Sequence, residues 1–225
     1  MNHIRIIAFD IDGVLLKDTF SPVIKSFVEK YGGIYSRELE RNVFSKNRDE
    51  AAKYLIQYLH LNISKDKLLS LYFQERKEYI NQFGIGLTDG AGEVLEKLLS
   101  AGLKLVCYGG LSKDYYQKEL AGYISYFDRY ICTNDFRPGL KEIAFDIYKV
   151  KNKEILFIDD VNTVAEEAKR LNMPFIGMPS SFEFSYQRAD MIQTGVKHII
   201  SNLKEINLSL IRKIDKEADK NILWD

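Results

Sequence analysis

Ile4-Arg5-Ile6-Ile7-Ala8-Phe9-Asp10-Ile11-Asp12-Gly13-Val14-Leu15 decides how the rest of the chain is read. Residues 4–9 are apolar apart from one arginine, which predicts a strand buried on both faces, as in a parallel sheet. The strand ends on two aspartates separated by one residue. Ile11 can enter the core while both carboxylates face one cleft, and Gly13 lets the backbone leave the sheet sharply.

Outward from this strand, Ser21-Pro22 predicts an N-cap and first-turn proline for a helix that runs to about Tyr31 and stops at Gly32-Gly33. Residues 36–83 are helical in pattern, polar and rich in aromatics, with no strand signal. Ala51, Leu55, Tyr58 and Leu59 share one face there, and Ser64 is placed to cap a helix carrying Leu68, Leu71, Tyr72 and Tyr79. After Gly84-Ile85-Gly86, strands and helices alternate again: helix 90–100, strand 103–108 ending at Gly109-Gly110, short strand 130–132, helix 141–148, buried strand 155–158 ending on Asp159-Asp160, a helix to Leu171 and strand 175–177. The succession predicts an α/β fold, a doubly wound, mainly parallel sheet with an inserted all-helical module. The expected division is a core of residues 1–16 and 86–210, an insert of 17–85 and a tail of 211–225. The tail is amphipathic and carries Leu223-Trp224, which suggests docking on the core or on a second copy, so a monomer or a homodimer.

The chain has 225 residues, 46% of them hydrophobic, which suits one catalytic domain with an inserted subdomain and a sizeable core. Lys+Arg and Asp+Glu balance at 32 each, which argues against a nucleic-acid or membrane-surface binder, since those usually carry a basic excess. No stretch approaches the ~20 apolar residues needed to cross a bilayer. The first residues lack the apolar run and small residues of a secretory signal, so a cytoplasmic protein is expected. The two cysteines, Cys107 and Cys132, read as buried thiols rather than a metal or redox pair.

In such a sheet, ligands bind beyond the carboxyl ends of the strands. Four polar clusters fall there: Asp10/Asp12, Gly109/Gly110/Ser112, Lys141 and Asp159/Asp160. Converging acids repel one another unless a cation holds them, and an all-oxygen donor set suits Mg²⁺. Of the first pair, one carboxylate can attack phosphorus, while the other protonates the leaving oxygen and then activates water.

The run Phe9-Asp10-Ile11-Asp12-Gly13-Val14-Leu15 resembles the first motif of the haloacid dehalogenase superfamily, an Asp-x-Asp-Gly sequence after a buried strand. Phe157-Ile158-Asp159-Asp160 resembles its acidic fourth motif, and order and spacing match over residues 4–206. The resemblance implies a Rossmann-like core with a helical cap, and a phosphatase of the phosphoglycolate phosphatase and β-phosphoglucomutase kind. It implies that Asp10 is nucleophile and Mg²⁺ ligand, that Asp12 is acid/base and offers its backbone carbonyl to the metal, and that Asp160, with Asp159 directly or through water, completes the metal site. An acid at position 12 favours phosphoryl transfer over dehalogenation, because a halide leaves without a proton.

The sequence departs from the family pattern in three places. Gly109 stands where the second motif carries Ser or Thr. The backbone N–H groups of Gly109 and Gly110 could still bind phosphate oxygens, and Ser112 offers a hydroxyl or, more simply, a helix cap. The third-motif cation is either Lys141, 19 residues before Asp160, or Arg137, directly before Pro138, with Lys141 preferred. Val164 occupies a position that often carries Asp or Asn. Asn162 is near, and reads as an N-cap.

The insert occupies the place of the superfamily's helical cap, with hinges near 16–20 and 84–88. Such a cap favours small soluble phosphate esters. Lys17, Arg41, Lys46 and Arg48 are its candidate contact residues, each also readable as a solvated charge. Tyr54, Tyr58, Tyr72, Phe73 and Tyr79 are read as packing within the cap. The competing functional reading is a catalytically weak domain that binds a phosphorylated ligand or protein partner.

Overall fold

The structure, a computed structural model, describes residues 1–224. Five strands, β1 (Ile6–Asp10), β2 (Lys104–Gly109), β3 (Phe127–Cys132), β4 (Ile155–Asp159) and β5 (Phe175–Gly177), form one sheet in the order β3-β2-β1-β4-β5. All four pairings are parallel. β1 and β4 are buried along their whole length, as a strand covered on both faces must be. Ile7, Phe9, Leu156 and Ile158 face one helical layer, and Ile6, Ala8, Ile155 and Phe157 face the other. Burying each large side chain of this kind stabilises the fold by ~1.5–3 kcal/mol.

Register brings the acids together. Phe9 pairs with Ile158 and Asp10 with Tyr108, so the carboxyl ends of β1, β2 and β4 coincide. The chain order reverses at β1, and the crevice beside it is the switch point where such sheets bind ligands.

The first group of helices, α1 (Phe20–Lys30), α2 (Arg37–Val43), α3 (Arg48–Tyr58) and α4 (Lys65–Phe83), encloses an apolar core of its own, built on Ile24, Phe27, Leu39, Phe44, Leu55 and Leu68. Ser36 and Ser64 cap α2 and α4 through their hydroxyls. Ser21 does not cap α1; the helix begins at Phe20, and Asp18 Oδ1 accepts from the N–H groups of Phe20 and Ser21 at 2.8 and 3.0 Å. Two chain segments join this unit to the sheet, and they pair: the Lys17 N–H donates to Gly86 O, and the Thr88 N–H donates to Leu15 O, both at 2.9 Å.

The remaining helices, α5 (Ala91–Ser100), α6 (Lys113–Gln117), α7 (Asn162–Arg170), α8 (Gln187–Thr194) and α9 (Leu208–Asp219), surround the sheet. Residues 142–147 wind as a π-helix where an α-helix over 141–148 was expected. The segment expected to be a tail begins inside α9, whose Ile211, Ile214 and Ala218 are fully buried in the sheet's core. Asp215 of α9 accepts from the N–H groups of Asn2, His3 and Ile4 at 2.6, 2.9 and 2.7 Å. Trp224 stacks on Phe175 of β5 with ring centroids 6.0 Å apart, so it docks on its own core. Cys107 is buried but Cys132 is exposed, which corrects the reading of two buried thiols. No described helix is long and apolar enough to cross a membrane.

Candidate active site

Asp10 closes β1 and Asp159 closes β4, with Asp12 and Asp160 just beyond. Gly13, at φ +86°, turns the chain over Asp160; a Cβ there would collide with the Asp160 carboxylate. Only glycine lets the two loops meet in this way. Asp10, Asp12, Asp159 and Asp160 line one cavity between the sheet and the helical unit, together with Gly110 and Arg137.

The four acids differ in their partners. Asp12 is held on both oxygens: Arg76 Nη2 of α4 donates to Oδ1, and the Tyr116 hydroxyl of α6 donates to Oδ2, each at 2.8 Å. Asp159 is also held on both, by the Tyr108 hydroxyl at 2.6 Å and the Val161 N–H at 2.9 Å. Burial nevertheless pushes its carboxyl up to about 6, against the hydrogen bonds from Tyr108 and Val161 and the nearby charge of Arg137. Burial raises Asp10 well above the usual carboxylate range, reinforced by the charges of Asp159 and Asp12 and offset in part by Arg137. Burial raises Asp160 likewise, reinforced by Asp159 and Asp10. Three buried, mutually repelling carboxylates with one arginine nearby form an oxygen-rich site short of positive charge, and a hard divalent cation would relieve it. Asp10, Asp159 and Asp160 could hold that cation. They are not already drawn into a closed cage, since no group of three metal-ligating side chains is preformed among the described residues.

Of the two third-motif candidates, Arg137 reaches the cavity, with its guanidinium packed over Gly110. A side chain on Gly110 would displace it, which accounts for a glycine at that position. The Arg137 Nε is buried and has no hydrogen-bond partner among the described residues. Lys141 is exposed at the start of the π-helix and is not among the residues lining this cavity. The preference for Lys141 is therefore corrected: the loop 133–140 carries Arg137 inward and leaves Lys141 on the surface. Gly109 ends β2, and its carbonyl is taken by the N–H and hydroxyl of Thr133 at 2.9 and 3.2 Å. Ser112 is exposed and makes no cap hydrogen bond. Asn162 does not cap α7; its side chain joins Glu166 and Thr194 instead, at 3.0 and 2.9 Å. Val164 is fully buried in the core.

Among the cap candidates, Lys46 and Arg48 line the cavity, Arg41 pairs with Glu166 at 2.7 Å, and Lys17 is exposed. Tyr72 and Phe73 line the cavity as well, whereas Tyr54 stacks on Tyr58 at 5.7 Å and Tyr79 packs on Phe83. The aromatic stripe is thus split between packing and cavity wall.

Sequence reasoning missed Arg76, Tyr108 and Tyr116. Arg76 is 2% exposed, donates its Nε to the Thr19 hydroxyl at 3.0 Å and lies over the Tyr115 ring at 4.4 Å. Its signal is positional: Leu68, Tyr72 and Arg76 stand four apart and are the buried face of α4, so a cation sits in the apolar stripe. Elsewhere the cap is tied to the core by Glu40, which accepts from Gln187 Nε2 at 2.7 Å and from the Tyr186 N–H at 3.1 Å, and by Asn47 and Arg48 on Asn134.

The fold has many solved counterparts. β-Phosphoglucomutase from Clostridium difficile superposes with a TM-score of 0.71 at 15% identity, over 96% of this chain and 99% of that one. A CbbY variant from Rhodobacter sphaeroides, solved with xylulose-(1,5)-bisphosphate, gives 0.70 at 15% identity, over 92% and 98%. A haloacid dehalogenase-like protein of unknown function from Agrobacterium tumefaciens gives 0.67 at 16% identity, over 93% and 99%. Similarity at this level of identity speaks to the fold. A family model described as haloacid dehalogenase-like hydrolase matches residues 7–178, from inside β1 to just past β5, and so takes in every acid of the cavity floor. With most of its length inside that match and the acids of the first and fourth motifs in one cavity, this chain belongs to the haloacid dehalogenase-like hydrolases.

Proposed function

We propose that the chain is a Mg²⁺-dependent phosphatase that hydrolyses a small phosphate monoester through an aspartyl-phosphate on Asp10. The observation that supports it best is the division of labour between Asp10 and Asp12. Asp10 is buried at the end of the central strand, with no cation bonded to it among the described residues; Asp12, two residues on, is fixed by Arg76 and Tyr116 in the same cavity.

In this reading an Asp10 oxygen attacks phosphorus, the bond from phosphorus to the ester oxygen breaks, and Asp12 gives its proton to the departing oxygen. Water then attacks the phosphorus of the aspartyl-phosphate and gives its proton to Asp12, which restores both residues and releases inorganic phosphate. The Tyr116 hydroxyl can donate or accept, so it stays bonded to Asp12 in both protonation states. Arg76 holds the other oxygen and fixes the direction of proton transfer. Arg137, over Gly110, neutralises phosphate oxygens in place of the usual lysine. Asp10, Asp159 and Asp160 would hold Mg²⁺, with the Asp12 backbone carbonyl as a further ligand. The bound ion would screen the carboxylates from one another and from the phosphate. Residues 17–85 act as the cap over a core that includes α9.

A second reading, a phosphate-binding domain without turnover, draws on Gly109 in place of the hydroxyl. Hydrolysis of p-nitrophenyl phosphate and a panel of small phosphate esters, with and without Mg²⁺, separates the two. Metal-dependent turnover that is lost in Asp10→Asn supports the phosphatase. Phosphate binding by folded protein with no turnover of any ester supports the second reading and overturns the first.

A further inference from the structure

The cavity that begins at the four carboxylates runs upward into the interior of the cap. Its upper wall is Phe44, Leu55, Leu68, Leu69, Tyr72 and Phe73, most of them members of the cap's own apolar core. On the floor, both oxygens of Asp12 and both of Asp159 are hydrogen-bonded, while Arg137 Nε has no partner among the described residues. Deep between floor and roof, Tyr72 Oη and Arg76 Nη1 are buried and have no partner among the described residues. Tyr72 is 8% exposed and Arg76 2%. Buried donors of this kind need an acceptor.

We infer that the leaving group of the substrate is a compact apolar body, a single six-membered ring or a branched chain of similar size, with an acceptor atom near Tyr72 and Arg76. The inference rests on the phosphatase reading for its phosphate and narrows that reading to a substrate class. The free space in the cavity, floor included, is about 130 Å³, so the phosphate shares it and the leaving group is held to about one ring at most. An apolar cavity of roughly 150 Å³ accepts one benzene ring. A hexose leaving group would bring several hydroxyls against a wall made mostly of leucine, phenylalanine, isoleucine and valine. Each unmatched hydroxyl lowers affinity by about 10-fold. An apolar ring matches the wall and leaves the two donors for its ester oxygen or one substituent.

The test compares kcat/KM, with Mg²⁺, for phenyl phosphate, isopentyl phosphate, glucose 6-phosphate and phosphoglycolate. Binding of the same compounds and of inorganic phosphate to the Asp10→Asn protein is measured by calorimetry. Preference of at least about 10-fold for the phenyl or isopentyl ester over both polar esters supports the inference. Equal or better use of glucose 6-phosphate or phosphoglycolate overturns it and leaves the phosphatase reading intact. Absence of turnover with every ester overturns the phosphatase reading; the inference then still stands if phenyl phosphate binds tighter than glucose 6-phosphate and inorganic phosphate, and falls if it does not. Leu69→Ala, at a half-buried position that tolerates truncation, adds a readout of place. It should raise the 1-naphthyl to phenyl phosphate ratio several-fold, and an unchanged ratio overturns the assignment of the leaving group to this cavity.

Discussion

The floor and the roof of the cavity treat buried charge in opposite ways. On the floor, Asp10, Asp159 and Asp160 are crowded together at strand ends; burial raises all three carboxyls, and the charge of Asp159 raises the other two further. On the roof, the deeply buried cation Arg76 is matched to Asp12, to the Thr19 hydroxyl and to the Tyr115 ring. A matched charge holds two parts of the molecule together. A crowded set of like charges costs stability, and persists where something outside the chain offsets it. The floor is therefore built for a ligand and the roof for alignment, and substitutions in the two places should fail differently.

The largest effect is expected on the floor. Asp10→Asn should reduce turnover of any substrate by about 10⁴-fold or more, because it removes the proposed nucleophile. Single-turnover assays with unchanged far-UV dichroism would check it. On the roof, Arg76→Ala should reduce kcat by about 10²-fold through misplaced proton transfer. It should also cost about 2 kcal/mol of stability, less than a fully buried pair would, because Asp12 is 21% exposed at its side chain. A melting curve run beside the kinetics separates this signature from that of Asp10→Asn.

A third pair of substitutions sharpens the comparison at the edge of the floor. Arg137→Ala should lower kcat/KM by about 10²-fold, while Lys141→Ala should stay within about 2-fold, as surface changes usually do. The reverse result would return the third-motif role to Lys141.

The smallest effect is thermodynamic. Asp160 has a folded-state pKa raised by burial and by its neighbours Asp159 and Asp10. A raised carboxyl contributes stability below its unfolded pKa of about 4, and that contribution is lost as pH rises toward and through the folded value. Metal-free protein should therefore lose stability as pH rises above about 4. Asp160→Asn should flatten that slope, raise the metal-free Tm at neutral pH by about 2–4 °C and abolish stabilisation by added Mg²⁺. Scanning calorimetry at several pH values, with and without Mg²⁺, measures all three.

The floor was legible in the sequence because its information is local. A buried strand ending on an acid is written in a few consecutive residues, and Asp10, Asp12, Asp159 and Asp160 follow from two such runs. The helical unit was legible for the same reason, through its period and the Ser64 cap. The roof was not. Arg76 reaches Asp12 across 64 residues of chain, and the period of α4 says only that position 76 faces inward. Arg137 and Lys141 lie four apart, and the path of loop 133–140 decides which one turns in. Tyr116 could be placed only once α6 was laid against β3, where its ring meets Tyr130. Trp224 was recognised as a docking residue, but its partner, Phe175, is set by the fold.

Asp215 ties the segment leading into the central strand from more than 200 residues away. During synthesis β1 is made well before its partners β2 and β4 and its clamp on α9. At ribosomal speeds of about 5–20 residues per second, the N–H groups of residues 2–4 wait roughly 10–40 s for Asp215. For that interval the nascent chain carries an uncovered, strongly apolar strand. The helical unit, whose core closes within residues 23–72, can fold on the way out. All four helices of that unit are therefore made before β2 and β4, which complete the floor of the cavity.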